Sequence, residues 1–177
     1  TRALVQDRDN RHASSQTIHY IEGDFTQWDP FEKLQSICSI GLDFASSSFA
    51  IHNVPPDQQQ RCFGYIAKLL KPSAPFFYLD LVGYENQRLQ ARADTADLHF
   101  IEQEMQDIPK GVDEDQWLKL AKRWNQHYRT ENFISPLISR RGPSIEKMFA
   151  AAGFSHPEVL YRHYNTTLLY ATRLELP

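Results

Sequence analysis

The sequence has few cysteines, no long apolar run and no excess of positive charge. Cys38 and Cys62 are its two thiols, and their spacing fits neither a zinc site nor a disulfide framework. No apolar stretch approaches the roughly 20 residues that span a bilayer. The formal net charge is -3, so the overall charge gives no argument for nucleic-acid binding. These absences predict a cytoplasmic protein with no metal site, no membrane contact and no nucleic-acid partner.

Glycine is also scarce, with 7 residues in a chain of 177, and no Gly-x-Gly-x-Gly occurs. The sequence also lacks the Gly-x-Ser-x-Gly turn of serine hydrolases and the His-Glu-x-x-His motif of zinc proteases. Hydrophobic residues make up 41% and charged residues 23%, values typical of a globular domain. The residues therefore favour one domain over positions 1–177 and leave the catalytic residue unknown.

Strand and helix patterns alternate in the first half of the chain. Residues 17–21 alternate between apolar and polar side chains, which predicts a strand, and Pro30 limits the next helix to a short turn at residues 31–34. A second short strand is expected at residues 42–47. Residues 57–70 have the apolar spacing of an amphipathic helix, and residues 75–82 are almost continuously apolar, as in a strand buried on both faces.

The second half begins with a polar segment, residues 84–143, which has helical composition. We predict helices at residues 85–107, 113–128 and 145–152 and strands at residues 158–164 and 167–174. Gly153 follows the last helix, where glycine commonly ends a helix. The last two strands are too close in sequence for a crossover helix, so they should form an antiparallel hairpin around Asn165-Thr166.

These elements predict an α/β fold: a Rossmann-like, mostly parallel sheet with a C-terminal antiparallel hairpin and helices on both faces. Ligands bind beyond the carboxyl ends of the strands in such sheets. The three predicted strands end at residues 23–25, residues 46–48 and Asp80. An acidic residue beside a glycine can accept a hydrogen bond from an exocyclic amine, an aromatic ring can cover a purine, and serines leave room for a ligand. The alternative is that these residues form only a turn and a strand end.

The motifs resemble those of class I S-adenosylmethionine (SAM)-dependent methyltransferases. They are Ile-Glu-Gly-Asp-Phe at residues 21–25, the strand and turn at residues 42–56, and Leu-Leu-Lys-Pro at residues 69–72. Ala-Gly-Phe at residues 152–154, followed by residues 159–165, is similar to the end of that fold. The order of the motifs agrees with the family from about Thr17 to the C-terminus.

The resemblance implies SAM as the cofactor and gives a role to several residues. Asp24 would bind the adenine amine, and Phe25 would lie against the adenine. Ser46, Ser47 and Ser48 would line the site near the methionine part of SAM. His52, Arg162 and Tyr164 would reach the methyl acceptor, a small molecule. For His52 the alternative is that it holds the strand-to-helix turn in place, and for Arg162 and Tyr164 it is packing or exposure to solvent.

The sequence departs from the family at the cofactor loop. The glycine loop after the first strand is missing, and so is an acidic residue for the ribose hydroxyls. We therefore expect the first βα units of the domain to precede Thr1. Residues 84–143 would be an insert that forms a lid over the substrate. Methyl transfer depends mainly on aligning donor and acceptor, and His52 or His163 could accept a proton from the acceptor.

Several alternatives to this interpretation remain open. One is a degenerate, non-catalytic methyltransferase-like subunit, which the missing glycine loop favours. Another is a carboxy-SAM synthase-like enzyme of tRNA modification, which the residues at the C-terminal end resemble. A nicotinamide-dependent oxidoreductase would share the βαβ pattern, but its Tyr-x-x-x-Lys signature is absent from the expected helix. A homodimer is compatible with all of these.

Overall fold

A computed structural model describes residues 19–104, 106, 111–130 and 133–175. The helices are α1 (Asp29–Ile37), α2 (Pro56–Leu69), α3 (Gln87–Glu104), α4 (Glu114–Thr130) and α5 (Ile145–Ala152). The strands are β1 (Ala45–Ser48), β2 (Pro75–Leu81), β3 (Glu158–His163) and β4 (Thr166–Thr172), and a 3-10 turn spans Ile51–Asn53. None of the described helices is long and apolar enough to cross a membrane.

The four strands form one mixed sheet in the order β1-β2-β4-β3. Strands β1 and β2 run parallel, with α2 as the crossover between them, whereas β4 pairs antiparallel with both β2 and β3. This arrangement confirms the predicted α/β Rossmann-like fold and its C-terminal hairpin. Among the described strands, one pair is parallel and two pairs are antiparallel.

The hydrophobic core lies between one face of the sheet and helices α2 and α5. Phe63 of α2 contacts Phe149 of α5 with 4.8 Å between ring centroids, and it contacts Tyr78 of β2 at 5.3 Å. Phe76 of β2 and Leu169 of β4 complete this layer with no exposed surface. Burial of each such side chain stabilises the fold by roughly 1.5–3 kcal/mol. The core therefore fixes the middle strands, whose ends carry the polar residues described below.

Helix α5 begins and ends at residues suited to those positions. The Ser144 hydroxyl accepts a hydrogen bond from the Lys147 N–H at the start of the helix. At the other end, Gly153 adopts a left-handed conformation with φ 86° and donates to the carbonyls of Phe149 and Ala150. The predicted helix at residues 145–152 is thus confirmed with both of its bounds.

Two predictions for the first forty residues need correction. Residues 19–22 form no strand, and residues 17 and 18 lie outside the described residues. A strand needs a neighbour for its backbone hydrogen bonds, and within the described sheet β1 pairs with β2 alone. The predicted short turn at residues 31–34 is instead the nine-residue helix α1. Pro30 lies in its first turn, where an N–H has no partner within the helix, so proline is tolerated there.

The segment between β2 and α5 contains α3 and α4, and its two ends are hydrogen-bonded to each other. At its start, Glu85 Oε1 accepts hydrogen bonds from the Arg140 N–H at 2.7 Å and the Ser139 hydroxyl at 3.2 Å. Gly83 N–H donates to the Ser135 carbonyl at 2.9 Å. The first and last residues of the insert are thus held together beside the carboxyl end of β2.

Candidate functional site

A buried imidazole–carboxylate pair lies at the carboxyl ends of β1 and β2. Asp80, the sixth residue of β2, has no exposed surface, and His52 in the 3-10 turn after β1 is 7% exposed. His52 Nδ1 forms a hydrogen bond with Asp80 Oδ1. Because the carboxylate accepts, Nδ1 carries the proton of the neutral ring, and Nε2 is then the nitrogen with a lone pair. The pair therefore fixes both the orientation and the tautomer of His52.

The Asp80 carboxylate also accepts hydrogen bonds from backbone N–H groups. Oδ2 accepts from the N–H of Ile51 at 3.1 Å and of His52 at 3.4 Å, and Oδ1 accepts from the N–H of Leu81 at 2.8 Å. A buried charge needs such partners, because leaving it unsatisfied costs several kcal/mol. Asp80 thus holds the turn after β1 against the end of β2.

Tyr78 lies two residues before Asp80 on the same face of β2, with 1% of its surface exposed. Burial, and secondarily the charge of Asp80, raises the pKa of Tyr78 well above its usual value. Tyr78 therefore remains a neutral hydroxyl beside the pair.

The chain reverses sharply at Phe49, between β1 and His52. Phe49 has φ 47°, in the left-handed region that non-glycine residues rarely adopt, and its N–H donates to the Leu79 carbonyl at 2.9 Å. Such a conformation costs about 1–2 kcal/mol per residue. The Phe49 side chain is nearly half exposed. The strained turn thus places an exposed aromatic ring just before His52.

The serines of β1 divide between the two faces of the sheet. Ser47 pairs with Tyr78 in the parallel ladder and is half-buried on the core face. Ser46 and Ser48 are exposed on the opposite face. The alternation of a strand therefore separates the three residues that the sequence predicted to act together.

Arg162 and Tyr164 lie at the same edge of the sheet, at the end of the β3–β4 hairpin. The Arg162 guanidinium donates to the carbonyls of Val82 at 2.9 Å, Gly83 at 3.0 Å and Tyr164 at 3.1 Å. It also lies 3.8 Å from the centroid of the Tyr84 ring. These contacts give Arg162 a role in holding the segment after β2, while Tyr164 stays nearly half exposed.

Asp24 and Phe25 lie beside α2. Asp24 Oδ1 accepts from the N–H of Thr26 at 2.9 Å and from its hydroxyl at 2.8 Å, and these bonds lower the pKa of Asp24. Among the described residues, Oδ2 of Asp24 has no hydrogen bond, and none of the described contacts joins Asp24 to the serines of β1. The Cys62 thiol donates to the Phe25 carbonyl at 3.3 Å, and burial raises the pKa of Cys62 to about 11.

Gly23, the residue before Asp24, lies close to the ring of Pro30. A Cβ at position 23 would collide with the Pro30 ring. Close packing within the protein is therefore enough to explain this glycine. Asp24 has its carboxylate exposed just after it.

The architecture can be compared with known proteins. No family model matches the sequence, and no curated protein matches it. Among solved structures, an O-methyltransferase family protein from Burkholderia thailandensis superposes with a TM-score of 0.50 and 15% identity. The match covers 88% of this chain and 36% of that protein. The fold is a Rossmann-like methyltransferase fold.

Further solved structures of this kind are similar at a lower level. The CurJ carbon methyltransferase has 12% identity over 86% of this chain and 34% of its own, with a TM-score of 0.46. PigF with SAH has 14% identity over 75% of this chain and 30% of its own, with a TM-score of 0.39. This chain thus spans about a third of the length of these proteins.

Within the methyltransferase fold, the site contains a residue that sequence reasoning missed. The sequence pattern marks Asp80 only as the end of a strand, although an acidic residue at the end of a strongly apolar strand is a signal of function. In the described residues no group of histidine, cysteine and acidic side chains could hold a metal ion. The structure brings His52, Asp80, Arg162 and Tyr164 to one edge of the sheet.

Proposed function

We propose that this chain is part of a SAM-dependent methyltransferase that acts on a small molecule by direct in-line transfer. The observation that carries the proposal is the buried His52–Asp80 pair at the carboxyl edge of a methyltransferase fold. In such α/β sheets the ligand site lies beyond the carboxyl ends of the strands. The similar solved structure supports the fold, and the proposed activity rests on the His52–Asp80 pair.

His52 is the residue proposed to take a proton from the acceptor. Its Nδ1–H donates a hydrogen bond to Asp80, which leaves Nε2 as the nitrogen that can accept a proton. The ionised Asp80 stabilises the imidazolium that forms when Nε2 accepts the proton. A hydroxyl or amine acceptor needs such help, whereas an acceptor that is already nucleophilic does not. His163, the other predicted base, lies exposed against Tyr164 with 4.5 Å between ring centroids, which gives it no comparable partner among the described contacts.

SAM, when bound, supplies the electrophilic methyl group. The exposed carboxylate of Asp24 and the partly exposed ring of Phe25 fit the adenine end of the cofactor. Ser46 and Ser48, which share one face of β1, remain the proposed lining near its methionine end, whereas Ser47 faces the core. The glycine loop has no counterpart in the 177 residues, so the chain holds part of a cofactor site. Arg162 and Tyr164 remain proposed acceptor-side residues.

Calorimetry with SAM and S-adenosylhomocysteine tests the cofactor assignment. We expect micromolar binding by the natural protein that contains this chain, and loss of at least tenfold in affinity in Asp24→Ala. Asp43→Ala is the matched control, because Asp43 is an exposed carboxylate that pairs with Lys71. Equal binding by wild type and Asp24→Ala would remove Asp24 from the site.

The alternative function is a non-catalytic methyltransferase-like subunit, favoured by the missing Gly-x-Gly-x-Gly. The same titration separates the two proposals, since a folded natural protein that binds neither compound is not a SAM-dependent enzyme. The similarity of the C-terminal residues to carboxy-SAM synthase-like enzymes stays a prediction, as do a cytoplasmic location and a homodimer.

A further inference from the structure

The side chain of Gln59 in the first turn of α2 is an amide with 1% of its surface exposed. Nε2 donates to the carbonyl of Val54 at 2.8 Å and to the carbonyl of Phe133 at 2.7 Å. Oε1 accepts from the Ser135 hydroxyl at 3.3 Å. Both N–H groups and the oxygen are thus used, which also fixes the orientation of the amide.

The partners of Gln59 belong to two segments that are far apart in sequence. Val54 directly follows the 3-10 turn that carries His52, whereas Phe133 and Ser135 lie where the chain returns from the helical insert. A backbone hydrogen bond joins the same two segments, because the Phe133 N–H donates to the His52 carbonyl at 2.8 Å. Gln59 therefore bridges the His52 turn and the returning end of the insert.

The backbone of His52 is held from two sides. On the sheet side, Asp80 accepts from its N–H. On the insert side, Phe133 donates to its carbonyl, and Gln59 holds the Phe133 carbonyl in turn. If the second set of bonds is lost, the turn is held on the sheet side alone, and the imidazole gains freedom to rotate away from Asp80.

We propose that Gln59 is a positioning residue for His52, which couples the orientation of the imidazole to the docking of the insert. The inference rests on the proposed function, because it assigns a part to the residue that would accept the proton. A methyl acceptor that binds beneath the insert would then meet His52 with its Nε2 already oriented. Gln59 itself is buried and does not touch the acceptor.

The test uses nitrogen-15 NMR of the histidine ring and amide hydrogen exchange on the full chain, without cofactor or acceptor. Gln59→Glu keeps the shape of the side chain but removes both N–H donors. We expect the His52 ring signals to shift, and the Phe133 amide to exchange on the order of tenfold faster, the factor that the loss of about one hydrogen bond gives. Gln60→Glu is the matched control, since Gln60 is the exposed neighbour on the same helix, and it should change neither signal.

A purely structural role would give a different result. Gln59→Glu would then unfold at a lower temperature but leave the His52 ring signals of the folded protein as in wild type, and this outcome overturns the proposal. If Gln59→Glu does not fold, Gln59→Leu decides, because it removes both N–H donors without burying a charge. Unchanged His52 and Phe133 signals in a folded Gln59→Leu protein likewise overturn it.

The outcome is independent of the test of the proposed function. NMR changes in a protein that binds no SAM would uphold the coupling and reject the methyltransferase. Binding of SAM together with unchanged His52 signals would reject the role of Gln59 alone.

Discussion

Asp80 is a buried carboxylate that accepts several hydrogen bonds at the site. It has no exposed surface, and its two oxygens accept from three backbone N–H groups and the His52 ring. Each oxygen serves two donors. These four donors stabilise the carboxylate. A neutral amide of the same shape would leave some of the donors without an acceptor.

We predict that Asp80→Asn lowers the free energy of unfolding by about 3 kcal/mol, because hydrogen bonds to a charged group contribute about 1.5–3 kcal/mol each. Whichever way the new amide turns, its NH₂ group faces two donors. Urea denaturation gives the measurement. Asp43→Asn is the control, since this carboxylate is 82% exposed and its ion pair with Lys71 should contribute less than about 1 kcal/mol. Similar losses in both variants would contradict the role assigned to Asp80.

At the scale of elements, two glycines have opposite effects on the helices to which they belong: one follows the last residue of α5, and the other lies inside α2. Gly153 ends α5 with φ 86°, a conformation that disfavours any residue with a Cβ. Gly64 lies in the middle of α2, where an added Cβ would meet no atom within 4 Å. One glycine is required by the backbone, and the other only weakens its helix.

We therefore expect Gly153→Ala to destabilise the protein by about 1–2 kcal/mol and Gly64→Ala to stabilise it by about 0.5–1 kcal/mol. Thermal unfolding followed by circular dichroism measures both, and each variant serves as the control for the other. A shift of both variants in the same direction would disprove the assignment.

The same scale shows what sequence patterns can predict. Helix α2, strand β2 and the β3–β4 hairpin were predicted within a few residues, because apolar spacing and turn residues are local signals. The length of α1 was not, since Pro30 can either stop a helix or open one. His52 and Asp80 are 28 residues apart and Gln59 and Phe133 are 74 residues apart, so no local pattern reveals either contact.

At the scale of the whole molecule, Glu85 joins the two ends of the helical insert. The Arg140 N–H lowers the pKa of Glu85 below its ordinary 4.5, and the hydroxyl of Ser139 adds to this effect. A carboxyl whose pKa is lower in the folded protein contributes stability above its unfolded pKa, and this contribution is lost as the pH falls.

We predict that wild type loses more stability than Glu85→Gln when the pH is lowered from neutral to below 4.5, because only wild type loses these charge-assisted hydrogen bonds. Denaturation curves over this range of pH give the comparison. Glu22→Gln, which alters an exposed carboxylate with no hydrogen bond among the described residues, should follow wild type. Parallel curves for wild type and Glu85→Gln would show that Glu85 does not hold the insert.

The two borders of the sheet differ in how readily they can accept a further strand. At β3 an irregularity between Val159 and Tyr161 interrupts the register, which hinders the addition of a further strand. Strand β1 has no such interruption, and within the described residues it pairs on one side alone. A further strand would therefore pair with the regular ladder of β1 more readily than with the interrupted ladder of β3.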